Sequence, residues 1–286
     1  ARRRHQSASP RGERRCADAR WPSVSSFFEP DVFTAARERL GVIWGRPVHV
    51  LETTTSTNDR ALEALATDTK TGAVWLAQEQ TSGRGRRGNE WKSAPGENLT
   101  MSLLLRVPGP SARLVGLSLV VGLAVREVVA QVVPESSVVQ VKWPNDVFVD
   151  DRKCAGILIE TRALEGDEFG VVVGIGLNVL TRDFPPELTH ATSLLAAGAP
   201  VERLGFEELL ARLLFEIELR TKTFLPRGLE PFLSDLQRHD CLRGKRIRVD
   251  EREGTGAGID VSGALLLQDD DGQVVSLASG HVERCA

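Results

Sequence analysis

Residues 78–91 read QEQTSGRGRRGNEW, and their centre, Gly83 to Gly88, interleaves three glycines with three arginines. Apolar segments at 73–77 and 99–105 flank this stretch and are predicted to be strands. Glycine tolerates positive φ and lets a ligand approach the backbone, and arginine offers a charged planar fork of donors suited to carboxylate or phosphate. The stretch therefore predicts a loop between two strands that binds an anion. Taken alone, it also fits a flexible basic loop that grips nucleic-acid backbone.

Length and composition indicate a globular protein of about two domains. The 286 residues are 41% hydrophobic and 26% charged, which is ordinary for such proteins. The net charge of −3 argues against general nucleic-acid affinity. Positive charge is concentrated at residues 1–20, where seven arginines face only Glu13 and Asp18. Residues 1–30 show no periodicity and are interpreted as a flexible basic extension.

Cysteine usage and hydropathy favour a cytoplasmic protein. Cys16, Cys154, Cys241 and Cys285 form no C-x-x-C pair, which argues against a structural zinc site and suits a reducing compartment. The longest charge-free apolar run, 114–125, is too short to span a bilayer. No apolar segment typical of a signal peptide follows the basic N-terminus. We expect no membrane association.

Three further stretches place polar side chains beside predicted strands. The hydroxyl-rich residues 53–59 precede a helical pattern, so they fit a helix cap, a ligand contact, or both. Pro144 interrupts the strand pattern at 138–151, and either a bulge or a hairpin turn explains it equally well. Lys153 begins the next strand, where an exposed hairpin lysine is the plain alternative to a functional one. Gly174 and Gly176 follow a buried strand and would permit close approach of a ligand.

The C-terminal part changes character after Cys241. Short strand patterns alternate with turns rich in glycine and aspartate, including Asp271-Gly272. This pattern predicts a small all-β unit. We divide the chain into the extension at 1–30, a catalytic unit at 31–238 and a C-terminal unit at 239–286.

Together and in this order, the motifs resemble those of the biotin–protein ligases. The matching residues are Ser56-Thr57-Asn58, Gln80 with Gly83 to Gly88 and Trp91, Lys142 to Asp146, Asp151-Arg152-Lys153 with Gly156-Ile157-Leu158, and Gly174 to Asn178. The resemblance implies an α+β fold: a mixed β-sheet with flanking helices, of the class II synthetase-like type, followed by a small SH3-like β-barrel. It also implies a two-step reaction, in which biotin and ATP form biotinyl-5′-AMP and a lysine of a biotin carboxyl carrier protein then accepts the biotin. Mg²⁺ would accompany the ATP.

Site residues follow from the resemblance at the matching positions. Lys153, Arg86 and Lys142 are implied as catalytic residues, and Asp146 is the candidate metal ligand. The implied biotin contacts are Ser56, Thr57, Asn58, Gln80, Arg84, Gly85, Arg86, Lys153 and Gly156. The implied ATP contacts are Arg86, Trp91, Asn145, Lys153 and Asn178. We also expect residues 84–92 to be mobile without ligand, because like charges need an anion to gather them.

Departures from the family and alternative functions remain. Asn89 stands where many relatives carry arginine, so one phosphate contact is in question. Only 52 residues precede Thr53, with no helix-turn-helix pattern, so we expect a short form that does not bind DNA. A homodimer stays open. The alternatives are a lipoate–protein ligase and a non-catalytic regulator that binds the ligand or nucleic acid.

Overall fold

The computed structural model describes residues 27–201 and 205–284, and these contain five α-helices and twelve strands in two sheets. Most of the extension assigned to residues 1–30 lies outside the described residues. Phe27 and Phe28, however, belong to the folded part: their rings pack against Phe206 and Phe33 at centroid distances of 5.1 and 5.4 Å. The catalytic unit therefore begins before residue 31.

The helices begin and end where local sequence favours it. Their bounds are α1 Pro30–Arg39, α2 Thr57–Ala64, α3 Leu117–Val132, α4 Phe206–Arg227 and α5 Leu233–His239. Proline at the first position of α1 needs no backbone donor, and Ser56 caps α2 through its hydroxyl. No helix within residues 27–201 and 205–284 combines the length and apolar character required to cross a membrane.

The larger sheet has seven strands in the order β1-β2-β3-β7-β6-β5-β4. Their bounds are β1 Val48–Thr54, β2 Val74–Gln80, β3 Asn98–Pro108, β4 Val139–Lys142, β5 Asp146–Val149, β6 Arg152–Leu164 and β7 Glu168–Asn178. β1 and β2 are parallel, and every other neighbouring pair is antiparallel. This is the predicted mixed sheet with flanking helices.

Helices cover both faces of this sheet, and strand alternation assigns side chains to each face. Leu103 and Leu105 belong to the larger core shared with α1, α3 and α4, whereas Leu104 between them packs against α2. α3 is apolar almost all round because it lies between the sheet and α4.

The second sheet is antiparallel, in the order β11-β10-β9-β8-β12. Its strands are β8 Arg246–Val249, β9 Arg252–Ile259, β10 Leu265–Gln268, β11 Val274–Leu277 and β12 Val282–Arg284. Among the described residues its edge strands β11 and β12 do not pair, so the predicted barrel is present as an open sheet. The Trp143 indole donates to the Gly263 carbonyl at 3.0 Å and thereby fastens this sheet to the catalytic unit.

Pro144 lies in a hairpin turn between β4 and β5, which decides between the two alternatives left by the sequence. Asn145 N–H donates to the Lys142 carbonyl across the turn at 3.2 Å. The Ser118 hydroxyl on α3 donates to the Pro144 carbonyl at 3.1 Å. The turn therefore holds Lys142 and Asp146 next to each other at the rim of the sheet.

Candidate active site

A cavity of about 220 Å³ opens where the second sheet meets the ends of β2, β5, β6 and β7. It brings together most of the residues singled out from sequence. Those that line it are Ser56, Thr57, Asn58, Gln80, Arg84, Gly85, Arg86, Trp91, Lys142, Asn145, Asp146, Lys153 and Gly156. The C-terminal unit contributes Gly280, His281 and Val282, which the sequence did not predict.

One wall of the cavity is a polar surface made by the start of α2 and the end of β2. The Thr57 backbone N–H donates to Gln80 Oε1 at 2.8 Å, and the Thr57 hydroxyl oxygen lies 3.1 Å from the same atom. Because a backbone N–H only donates, this contact fixes which end of the Gln80 amide is oxygen. The Gln80 Nε2 group is thereby left as a donor for a polar ligand head.

Asn58 is buried behind this wall, and both ends of its amide are used by the protein. Its Nδ2 donates to Glu160 Oε2 at 2.6 Å, and its Oδ1 accepts from the Ser102 hydroxyl. A direct contact of Asn58 with ligand stays a prediction, and the geometry gives it a supporting position. Neither Glu160 nor Ser102 was singled out from sequence, since each lies inside an ordinary strand pattern.

Glycines form the floor of the cavity because neighbouring side chains lie directly on them. A Cβ atom on Gly176 would sit 2.3 Å from the Trp91 ring, and one on Gly156 would sit 3.2 Å from it. A Cβ atom on Gly174 would sit 2.4 Å from Asn58 Oδ1. The Trp91 ring therefore lies against β6 and β7, where glycines leave the strands without side chains on the cavity side.

Gly176→Ala is expected to lower the free energy of unfolding by about 1–3 kcal/mol, because the added methyl overlaps the Trp91 indole. Chemical denaturation measures this change, and indole fluorescence reports displacement of the ring. Gly156→Ala is the matched control and should cost less, since its methyl would lie 3.2 Å from Trp91, a tight contact that a shift of a few tenths of an ångström relieves. Equal stability of both variants and the wild type would contradict this packing.

The glycine–arginine loop lines the cavity, and ion pairs connect it and the following Lys92 to four other parts of the chain. Arg84 pairs with Asp59 on α2 and with Glu160 on β6. Arg87 pairs with Asp250 of the second sheet at 3.0 Å, and Lys92 pairs with Glu187 at 3.3 Å. The expected mobility of residues 84–92 rested on the idea that their like charges need a ligand anion. That reason is wrong, because protein carboxylates pair with Arg84, Arg87 and Lys92.

Arg86 differs from its neighbours in the loop. Within the described residues its guanidinium makes no hydrogen bond or ion pair, although it lines the cavity. Burial lowers the pKa of Arg86, as does the nearby Arg87, while the Asp146 carboxylate opposes them. A partly buried guanidinium of this kind favours an incoming anion. Arg84, by contrast, is committed to Asp59 and Glu160, so its predicted contact with a ligand carboxylate is not supported by this geometry.

Lys153 also lines the cavity, with Nζ 2.8 Å from Asp146 Oδ1 and 5.7 Å from the Trp91 ring centroid. Its backbone is fixed on both sides, because its N–H donates to the His190 carbonyl and its carbonyl accepts from Thr192 N–H. Lys142 projects from the neighbouring turn, with Nζ 5.2 Å from the Phe148 ring centroid. Burial raises the pKa of the adjacent Cys154 thiol to about 12, so that residue is no nucleophile.

Asn145 and Asn178, two of the predicted ATP contacts, each donate a side-chain hydrogen bond to the protein backbone. Asn145 Nδ2 donates to the Ile157 carbonyl at 2.8 Å and joins the turn to β6. Asn178 is buried outside the cavity lining, and its Nδ2 donates to the Thr192 carbonyl at 2.9 Å. Trp91 lies against the glycine floor, with Lys153 Nζ 5.7 Å from its ring centroid. The nucleotide contacts of these three residues stay predictions.

Comparison with known proteins agrees with this arrangement. Residues 50–178 match the Biotin/lipoate A/B protein ligase family. The bifunctional ligase/repressor BirA of Escherichia coli is 35% identical over 248 residues, which cover 85% of this chain and 75% of that protein. The biotin–[acetyl-CoA-carboxylase] ligase of Mycobacterium tuberculosis is 36% identical over 248 residues, covering 83% and 88%.

Comparison with solved structures also finds biotin protein ligases. The biotin protein ligase from Aquifex aeolicus in complex with biotin and ATP superposes with a TM-score of 0.68 at 28% identity. The match covers 83% of this chain and 99% of that one. Sequence, fold and cavity thus agree, and the chain belongs to the biotin–protein ligase family.

Proposed function

We propose that this protein is an ATP-dependent ligase that activates biotin and transfers it to a lysine of a biotin carboxyl carrier protein. The biotin carboxylate attacks the α-phosphorus of ATP, which forms biotinyl-5′-AMP and releases pyrophosphate. The lysine amine then attacks the acyl carbon, an amide bond forms, and AMP leaves with the electron pair of the broken acyl–phosphate bond. The observation that carries this proposal is one cavity lined both by the polar wall of Ser56, Thr57 and Gln80 and by the cations Arg86 and Lys153.

The cavity suits the two ends of biotin. Gln80 Nε2 offers a donor to the ureido oxygen, and Ser56 and Thr57 lie beside it. The Gly156–Gly176 floor and Trp91 provide apolar surface for the rings and tail. Lys153 and Arg86 supply positive charge where a carboxylate and a phosphate meet, and such fixed charges stabilise the transition state. No covalent enzyme intermediate is required.

Mg²⁺ is proposed to arrive with the ATP phosphates. Among the described residues no group of three or more His, Cys, Asp or Glu side chains is placed to hold a metal. Asp146, at the cavity wall, would supply a carboxylate. Mg²⁺ is commonly held by one or two carboxylates together with substrate phosphates. This ion would neutralise phosphate charge, while Lys142 stands nearby as a further cation.

The carrier partner is proposed on the names of relatives such as the M. tuberculosis ligase. The part of β6 beyond Gly156 has no described strand beside it on the side away from β7. Such a free edge can accept another strand, either of the carrier or of a second copy of this chain. We propose a cytoplasmic location, which the buried free thiols of Cys154 and Cys241 support.

Calorimetric titration tests the function. Biotin is titrated with and without a non-hydrolysable ATP analogue, and lipoate is titrated in parallel. We expect biotin to bind and lipoate to give no heat, and we then expect ATP-dependent biotinylation of a carrier domain. Binding of lipoate in place of biotin would move the substrate to the other branch of the family, and heat from neither ligand would overturn the proposal.

A further inference from the structure

Glu160, in the middle of β6, joins two structures that are far apart in sequence. Its carboxylate accepts from Arg84 Nη2 at 2.9 and 3.2 Å, and Arg84 belongs to the loop over the cavity. The same carboxylate accepts from Asn58 Nδ2 at 2.6 Å, behind the polar wall. The Glu160 side chain is 29% exposed, so these donors replace much of its water.

Beyond Asn58 the contacts continue to the polar wall. The Ser102 hydroxyl lies between Asn58 Oδ1 and Thr57 Oγ1, 2.7 Å from the latter. Because the single Ser102 hydroxyl proton goes to Asn58 Oδ1, the Thr57 hydroxyl donates to Ser102, and the Thr57 N–H donates to Gln80 Oε1 at 2.8 Å. We call this series, Glu160–Asn58–Ser102–Thr57–Gln80, the polar row. It runs from the loop cation to the amide whose Nε2 faces the cavity.

We propose that Glu160 is a positioning residue that couples closure of the loop to the orientation of the polar wall. Resting on the proposed function, this means that Glu160 sets the affinity for the biotin head group without touching it. The physical reason is that a half-buried carboxylate needs its charged donor. When the ion pair of Arg84 with Glu160 breaks, the Glu160 carboxylate rotates toward solvent and its hydrogen bond from Asn58 is lost. The side-chain orientations of the other residues in the row are then less restricted.

Asp59 provides a matched control for this coupling. It also pairs with Arg84, and its other side-chain hydrogen bond is from Thr55, so its side chain makes no hydrogen bond to the row although it follows Asn58 in α2. The hydrogen bonds and charge of Arg84 outweigh burial and lower the pKa of Asp59. Asp59→Asn therefore weakens loop closure alone, Ser102→Ala weakens the row alone, and Glu160→Gln weakens both.

Hydrogen exchange of the unliganded protein tests the coupling without reference to any ligand. We expect Glu160→Gln to speed exchange both in the loop at 84–92 and at the Thr57 amide, by about tenfold as for loss of a charged hydrogen bond. Asp59→Asn should speed exchange in the loop and leave Thr57 within about twofold. Exchange at Thr57 unchanged in Glu160→Gln, or equally raised in Asp59→Asn, would overturn the proposal.

Biotin affinity supplies the second readout. We expect Glu160→Gln to weaken biotin binding about tenfold in the wild-type background and much less in a Gln80→Ala background, because contacting residues are not additive. Equal effects in the two backgrounds would overturn the proposal. Wild-type protein that fails to bind biotin would instead refute the proposed function, and the exchange experiment would still decide the coupling. Thermal unfolding of each variant checks that it folds.

Discussion

Lys153→Ala is expected to slow formation of biotinyl-5′-AMP by about 10²–10³-fold, the usual scale for removing one transition-state donor. Lys153 Nζ lies 2.8 Å from Asp146 at the cavity wall, and its backbone is fixed on both sides by the segment at 190–192. In the proposed reaction, this ammonium is the cation that bridges the biotin carboxylate and the α-phosphate. A single-turnover assay that follows adenylate formation from bound biotin and ATP measures the effect.

Lys245→Ala is the matched control for this variant. Lys245 has a similar exposed fraction, 41% against 36%, and also pairs with an aspartate, Asp151, at 3.4 Å. Its pair lies at the surface, where an ion pair contributes little. We expect the control to form adenylate at the wild-type rate. A near-normal rate and yield for Lys153→Ala would remove this lysine from the reaction.

Arg86→Ala is expected to lower kcat/KM for ATP by about 10²-fold, again the scale for one lost electrostatic contact in the transition state. The reason is its lack of a protein partner. Arg84, Arg87 and Lys92 each have a carboxylate, whereas Arg86 lines the cavity without one among the described residues. Its charge is therefore available to a phosphate or carboxylate. Steady-state pyrophosphate release at varied ATP and biotin concentrations measures the loss.

Arg87→Ala, one residue away, separates the charge of the loop from the position of Arg86. Arg87 pairs with Asp250 at 3.0 Å with both side chains about half exposed. Loss of such a pair should change kcat/KM by less than about fivefold. If both arginine variants lose activity equally, the loop acts as a diffuse positive surface and the specific role of Arg86 fails.

The amino-acid sequence predicted the architecture because periodicity and turn chemistry are local. The apolar runs at 99–105 and 169–173 became the paired central strands β3 and β7. Most of the apolar run at 114–125 lies in the buried helix α3, and the C-terminal strand patterns with glycine- and aspartate-rich turns form a separate antiparallel sheet. A C-terminal barrel was predicted, and the described residues form an open sheet. Short strand patterns predict pairing between successive strands, but they do not predict pairing between the two edge strands.

The sequence also predicted which residues line the site, but it did not predict the hydrogen-bond and ion-pair partners of their side chains. Arg84 to Arg87, Lys142 to Asp146 and Lys153 line one cavity, as their common resemblance to one family implied. The sequence did not show that Arg84 pairs with Asp59 and Glu160. It also did not show that the Asn58 amide hydrogen-bonds to Glu160 and Ser102. These partners come from other elements, up to 102 residues away along the chain.

By itself, then, the sequence determined the sheet, the helices that cover it and the chemistry available at the cavity, because each depends on patterns within a few residues. The tertiary structure alone decided which cation is left for an anion and which amide faces the ligand. Those outcomes depend on which carboxylates the fold brings within hydrogen-bond distance. The guanidinium of Arg84 is paired with Glu160, whereas Arg86 makes no ion pair within the described residues and is available to the substrate.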